Sequence, residues 1–361
     1  MTHADRQRGF TLVEMMTASA ILGVLVVVLA TMMNNVSKIW VTSRDKITSL
    51  QNGRAILEFM SRDLQRIAAP KISFGVPAAQ NASFPAYSLA FIQFLQDAGT
   101  ASGGLQDWLP DSQTAVPNSS NIFGQVYGEN TPRGNLWIFG YYLAEDDNQT
   151  RWLYRLAVSP SDANNPANAN PDYRLFASGS GAQPGNDPSG NAWLGGAAMF
   201  NPNKYAFPLG ENIMAFYVVC LDYHRQPIPW LSQANPAAAP LKFNSAAAFV
   251  MPQISGTAAA DQAFVYLQST GAGVPVRPAH KLPAALRISI LTADKKSLKR
   301  LAAQSQSLPA PPDLSDYRAG HKLDYDLVAI RAYQKTLTEA PYNLGGVLLF
   351  TLNINLNQGG P

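Results

Sequence analysis

From Phe10 to Met33 the chain is almost continuously apolar, and Glu14 is the only charge in that stretch. The strongest run is Ile21 to Leu29. As a helix the whole stretch reaches about 36 Å, enough to cross a hydrocarbon core of about 30 Å with some tilt. Beyond Met33 the apolar positions become periodic. Val36, Trp40, Ile47, Leu50, Leu57, Met60, Leu64 and Ile67 recur at spacings of three and four, with Ser43 and Arg54 at the intervening stripe positions. This pattern predicts an amphipathic helix from Asn34 to Ala68. Trp40, Ile47, Leu50, Leu57, Met60 and Leu64 are its expected buried, helix-packing face. Pro70 ends it, because proline disfavours helix at the residue before it. Gly53 is a weak point inside it. Two separate helices with a bend at Asn34-Asn35 are the alternative.

After Pro70 the pattern changes to alternation and long polar segments. Leu89–Leu95, Phe264–Leu267, Leu286–Leu291 and Val347–Ile354 read as strands. Leu136–Leu143 and Trp152–Val158 flank Glu145-Asp146-Asp147-Asn148-Gln149, a hairpin turn rich in acids and amides. Ile213–Leu221 is apolar throughout and reads as a central strand buried on both faces. Leu323–Leu337 places Leu327, Ile330, Gln334 and Leu337 at helical spacing, a helix near the last strand. The segments 97–133, 159–204, 226–262 and 302–321 read as loops and hold too few apolar residues for a second core. The expected fold is α+β: a long N-terminal helix packed on one antiparallel β-rich domain with long loops.

Composition adds constraints. Apolar residues at 47% suffice for a real core, while only 14% of residues are charged. A net charge of +3 carries no nucleic-acid footprint. Lys295-Lys296-Ser297-Leu298-Lys299-Arg300 is the densest basic cluster and reads as a solvated loop or helix end. Cys220 is the single cysteine, so no intrachain disulfide forms, and its apolar surroundings suit a small buried residue. Arg6 and Arg8 precede the apolar stretch, which orients the N-terminus to the cytoplasm and everything after Met33 to a periplasm-like space. A cleaved secretory signal fits poorly, because the small residues Ala18-Ser19-Ala20 come before the strongest apolar run.

Catalytic chemistry is sparse. His3, His224, His280 and His321 show no metal-ligand spacing. No G-x-S-x-G, H-E-x-x-H or phosphate-cradling loop occurs. Ser43-Arg44-Asp45-Lys46 matches S-x-x-K without the companion motifs of acyl enzymes. Asp313, Asp316, Asp324 and Asp326 cluster in sequence, and exposed turn acids are the ordinary reading over a calcium site. Trp137, Tyr141, Tyr142, Trp152 and Tyr154 read as cross-strand packing rather than an exposed platform. No catalytic residue, metal ligand or cofactor is expected.

Arg8-Gly9-Phe10-Thr11-Leu12-Val13-Glu14, set directly before an apolar run, resembles the class III signal of type IV prepilins and type II secretion pseudopilins. That resemblance implies a leader at 1–9, cleavage between Gly9 and Phe10 by a membrane prepilin peptidase, and N-methylation of Phe10. It implies a transmembrane helix at 10–33, its amphipathic continuation at 34–69 and a pilin-like domain at 70–361. Glu14 is then an assembly residue, neutralising the freed amine of a neighbouring subunit. A carboxylate in a membrane helix costs about 2.5–3.5 kcal/mol, so it usually serves a partner.

A narrower resemblance follows. Leu57-Glu58-Phe59-Met60-Ser61-Arg62-Asp63-Leu64-Gln65-Arg66 is similar to the helix end of J-type minor pseudopilins. Leu282-Pro283-Ala284-Ala285-Leu286-Arg287-Ile288-Ser289-Ile290 is similar to their leucine-proline, then arginine-in-strand segment. Asn212–Asp222 sits where that family has a core strand ending in Asp. The chain is longer than a usual J-type subunit, and in general terms it is also similar to the large prepilin-like cassette proteins of Verrucomicrobia-type bacteria. The implied protein is a structural subunit, not an enzyme, in the bacterial inner membrane as a single-pass chain or in a fibre. Its implied partners are the prepilin peptidase and other pilin or pseudopilin subunits of a type II secretion or type IV pilus-like system. The alternative is a membrane-anchored binding module whose loops recognise a glycan or exported protein.

Overall fold

The computed structural model describes residues 11–67, 91–95, 109, 112–132, 134–168, 204–221, 225, 227, 243–244, 249–250, 267–268, 275–277, 282–304, 306–314 and 323–356. The chain divides into two compact units, one up to Thr48 and one from Ser49 onward. The fold is α+β, a long N-terminal helix followed by antiparallel sheets.

Helix α1 runs from Leu12 to Leu64 as one element, so the break at Asn34-Asn35 does not occur. It stops short of the expected Ala68. Gln65 and Arg66 turn, Ile67 forms a bridge with Val126, and the Arg66 carbonyl accepts from Tyr127 N at 2.9 Å. The chain therefore leaves the helix by pairing with a strand; Pro70 lies outside the described residues.

In the second unit, the strands are β1 Ile92–Leu95, β2 Gln113–Ala115, β3 Ser120–Thr131, β4 Gly134–Asp146, β5 Arg151–Val158, β6 Ala206–Glu211, β7 Ile213–Leu221, β8 Phe243–Asn244, β9 Phe249–Val250, β10 Leu267–Gln268, β11 Pro275–Arg277, β12 Ala285–Thr292 and β13 Leu348–Asn355. Two helices, α2 Lys295–Ala303 and α3 Tyr325–Thr338, lie between β12 and β13. The largest sheet has the order β6-β5-β4-β3-β1-β8, with β2 paired to β4. A second sheet has the order β13-β12-β7, and a small third one β10-β9-β11.

Several expected loops contain strands. Segment 97–133 holds β2 and β3, and β8 and β9 fall within 226–262. The sequence hides β3 because Ser120, Asn121 and Gln125 occupy buried positions, which breaks the apolar alternation. β6 reads Ala-Phe-Pro-Leu-Gly-Glu, and its Pro and Gly disguise a strand that tolerates them by lying, among the described residues, at a sheet edge. Of Phe264–Leu267 only Leu267 lies within the described residues.

β7 is buried on both faces as expected, but among the described residues it is not central: β12 is the middle strand, and β7 lies at the edge. Side chains from the larger sheet complete that edge. Val218 N donates to Ser120 Oγ at 2.9 Å, and Arg151 Nη1 donates to the Met214 carbonyl at 3.2 Å. Two apolar cores flank β7. One, with Ile56, Met60, Leu64, Phe216 and Ile288, joins α1 to the sheets. The other, with Tyr217, Leu291, Leu301, Ile330 and Leu337, lies under α2 and α3.

Helix α2 starts at the basic cluster, capped by Asp294, whose carboxylate accepts from Ser297 N at 2.7 Å. Helix α3 buries Tyr325, Asp326, Ala329, Ile330, Tyr333 and Leu337. The expected stripe shares Ile330 and Leu337 with that face. Leu327 and Gln334 are half-buried flanks, and Gln334 Nε2 donates to the Val347 carbonyl at 2.8 Å.

Candidate functional site

Gly9 and Phe10 lie outside the described residues. Immediately after them, Thr11 and Glu14 form a reciprocal cap at the start of α1. Glu14 Oε2 accepts from Thr11 N and Thr11 Oγ1, both at 2.9 Å, and Glu14 N donates to Thr11 Oγ1 at 3.3 Å. A Thr-x-x-Glu pair of this kind satisfies helix-start amides that have no partner within the helix. The hydroxyls further along bond inward: Thr17, Ser19 and Thr31 donate to the carbonyls of Glu14, Met15 and Val27 at 3.0, 2.9 and 2.8 Å. An apolar medium demands this internal satisfaction. Leu12, Val13, Ile21, Leu25, Val27, Leu29 and Met33 are all exposed. Among the described residues, α1 is the one helix long and apolar enough to cross a membrane.

The residues expected to pack α1 on the domain divide into two groups. Leu57, Met60 and Leu64 are buried, as are Ile56 and Ile67. Trp40, Ile47 and Leu50 are 72%, 53% and 37% exposed. The period marks an apolar stripe but not what covers it, and within this chain burial begins at Gly53. There a Cβ would overlap the Phe350 ring of β13, so this glycine permits a close helix–sheet approach rather than weakening the helix.

The apolar period gives no sign of the polar seam beside that face. Asp63 projects from α1 toward β4 and β5. Its Oδ2 accepts from Tyr141 OH at 2.6 Å and Arg155 Nε at 2.8 Å, and its Oδ1 accepts from Arg155 Nη2 at 3.0 Å. The Arg155 guanidinium also lies 5.4 Å from the Phe59 ring centroid. Burial, then the Asp63 charge, pushes the Tyr141 phenol well above its ordinary range. The available signal was an acid flanked by Met60 and Leu64 on the packed face.

Two further arginines act as internal ties. Arg151 is buried, pairs with Glu145 at 2.8 Å, and donates to Tyr333 OH at 3.1 Å and the Pro309 carbonyl at 3.2 Å. Arg287, in the β12 segment singled out from sequence, makes a bidentate pair with Asp326 of α3 and donates to the Leu323 carbonyl at 2.8 Å. Asp326 is fully buried, which corrects the expectation of an exposed turn acid, and its carboxylate is taken by Arg287. Asp316 and all four histidines lie outside the described residues. Among the described residues no group of three His, Cys, Asp or Glu side chains could hold a metal ion. Ser43 and Lys46 are exposed on α1. Tyr141 and Tyr142 are buried, Tyr142 stacks on Tyr154 at 5.3 Å, and the Trp137 and Trp152 indoles donate to the Glu129 carbonyl and to Asp146.

This arrangement defines an exposed apolar helix with a carboxylate at its start, carrying an internally tied β-rich domain. Residues 5–30 match the family described as Prokaryotic N-terminal methylation motif. The match supports an N-terminal segment of the type IV pilin or pseudopilin type, of the kind processed by prepilin peptidase. The motif and the apolar helix fit a membrane-anchored pilin. No match was found among curated proteins or among solved structures.

Proposed function

We propose that this chain is a minor, J-like pilin or pseudopilin subunit of a type II secretion or type IV pilus-like system, related in general plan to the Verrucomicrobia-type prepilin-like cassette proteins. Residues 1–9 are the leader, 10–33 cross the inner membrane, 34–69 continue the helix and 70–361 form the periplasmic domain. Prepilin peptidase cuts between Gly9 and Phe10, and Phe10 is methylated. The observation that carries this reading is Glu14, the one charged residue among residues 11–33, which are otherwise uncharged and exposed on α1 and overlap the matched segment.

In the uncut chain Glu14 caps Thr11. After the cut the new amine on Phe10 adjoins that same Thr11 amide, so one carboxylate serves both states, toward its own amine or a neighbour's. Leu57, Met60 and Leu64 hold the domain on the helix, while Trp40, Ile47 and Leu50 face neighbouring chains. The test is Glu14→Ala in the native host. Cleavage should persist, while assembly measured by chemical crosslinking should fall at least tenfold, because a buried charge without a partner costs several kcal/mol. Wild-type assembly by the variant would remove the proposed pairing.

A further inference from the structure

Between α2 and α3 the chain runs Leu308-Pro309-Ala310-Pro311-Pro312-Asp313-Leu314, and Leu308 to Asp313 form neither helix nor strand. The prolines dictate this. Each fixes its own φ near −65° and biases the residue before it toward extended backbone, so the segment favours a polyproline conformation. Pro309, Pro311 and Pro312 also lack a backbone N–H, which leaves the segment rich in acceptors and poor in donors.

Side chains from separate parts of the second unit supply the donors. The Pro309 carbonyl accepts from Tyr333 OH of α3 at 2.6 Å and from Arg151 Nη2 of β5 at 3.2 Å. The Pro311 carbonyl accepts from Asn118 Nδ2, just before β3, at 2.9 Å, and the Pro312 carbonyl from Tyr217 OH of β7 at 2.7 Å. A polyproline helix has about three residues per turn, so carbonyls three apart face one side. Pro309 and Pro312 are such a pair, and a tyrosine hydroxyl takes each. Leu314 is buried in the core under α2 and α3, and Leu308 packs against that core. Among the described residues, no backbone hydrogen bond ties Leu308–Pro312 to a strand or helix.

We propose that Asn118, Arg151, Tyr217 and Tyr333 form a recognition seat for proline-rich segments, that residues 308–314 are its intramolecular ligand, and that a P-x-x-P segment of a partner protein exchanges with them. Attachment through side chains lets the segment leave without unzipping a strand pair. Its departure strips Arg151 Nη2 and both tyrosine hydroxyls of these acceptors, which is costly at a buried site, so the seat calls for a replacement. A row of donors fits a ligand rich in carbonyls and poor in N–H, and aromatic-lined grooves are a general means of reading proline-rich segments. The tethered segment competes at an effective concentration of about 1 mM, so it guards the seat against free peptide until it is loosened.

The test uses the full chain in detergent micelles and a fluorescein-labelled peptide of the 306–314 sequence, read by anisotropy. Pro309→Gly, Pro311→Gly and Pro312→Gly together loosen the tethered segment, and this chain should bind the peptide at least tenfold more tightly than wild type. The same peptide with its prolines replaced by glycine should bind at least tenfold more weakly. Tyr217→Phe or Tyr333→Phe in the loosened chain should each weaken binding about fivefold, the worth of one hydrogen bond. A loosened chain that keeps its thermal melt but binds no peptide would overturn the proposal and make the segment a fixed brace. Equal binding to both chains, or binding indifferent to the prolines and tyrosines, would overturn it too. If the loosened chain melts early, the wild-type chain is given the peptide at about 1 mM, matching the tethered segment, with benzoylphenylalanine at the Leu308 position. Illumination should then crosslink it to the peptides bearing Arg151 or Tyr333, and a tenfold excess of unmodified peptide should cut that yield at least fivefold. Crosslinks confined to other sites, or none, would overturn the exchange.

Discussion

Asp63 gathers the Tyr141 hydroxyl and two Arg155 nitrogens onto one carboxylate where α1 meets β4 and β5. Hydrogen bonds to charged groups contribute about 1.5–3 kcal/mol each, reduced where solvent screens them. Asp63→Asn should therefore destabilise the domain by about 2 kcal/mol in denaturant melts, and Tyr141→Phe by about 1 kcal/mol. Melts of both variants that match wild type would show the seam to be incidental. Asp326 gives a pH prediction. Burial lifts its carboxyl above the ordinary aspartate range, although Arg287, the charged group facing it, pulls the other way. A raised folded value means that its contribution is fully present below the unfolded value and is lost as pH rises through the folded one. The stability difference between wild type and Asp326→Asn should thus shift against wild type as pH rises above the ordinary aspartate value of about 4. A shift in its favour would mean that Arg287 dominates. Arg287 was legible in the sequence as an arginine inside an apolar strand. Its partner was not, because Asp326 sits among other acids that resemble turn residues.

At the scale of elements, α1 was legible because a continuous apolar run to Met33 passes into a stripe of three-and-four spacing beyond it, and β4, β5, β7, β12 and β13 were legible because their apolar positions run on or alternate. β3 and β6 were not, since polar side chains at buried positions interrupt one and Pro and Gly the other. The helix's contact with the domain was legible in kind but not in extent. Met60 is fully buried, so Met60→Ala should cost about 3 kcal/mol. Ile47→Ala should change the same melt by less than about 0.5 kcal/mol, because Ile47 is exposed within the chain. Gly53→Ala should cost about 1–3 kcal/mol through overlap with Phe350. Equal losses at Met60 and Ile47 would show that the packed face extends toward the membrane segment.

For the whole molecule, the N-terminal segment says more about function than the domain does. Gly9, Phe10 and Glu14 stand out because charge is so rare across the apolar stretch, and a short ordered motif survives in a sequence whose long Pro-, Asn- and Gly-rich segments carry little pattern. The domain's arginine ties and glycine contacts become visible only in three dimensions, because each joins residues far apart in sequence. We propose above all that this chain is made as a precursor and matured as a pilin-type subunit. Intact-mass and N-terminal peptide analysis of the protein from its native host tests it most directly. The expected result is a chain that begins at N-methylated Phe10; a mature chain that begins at Met1, or after Ala20, would overturn the proposal.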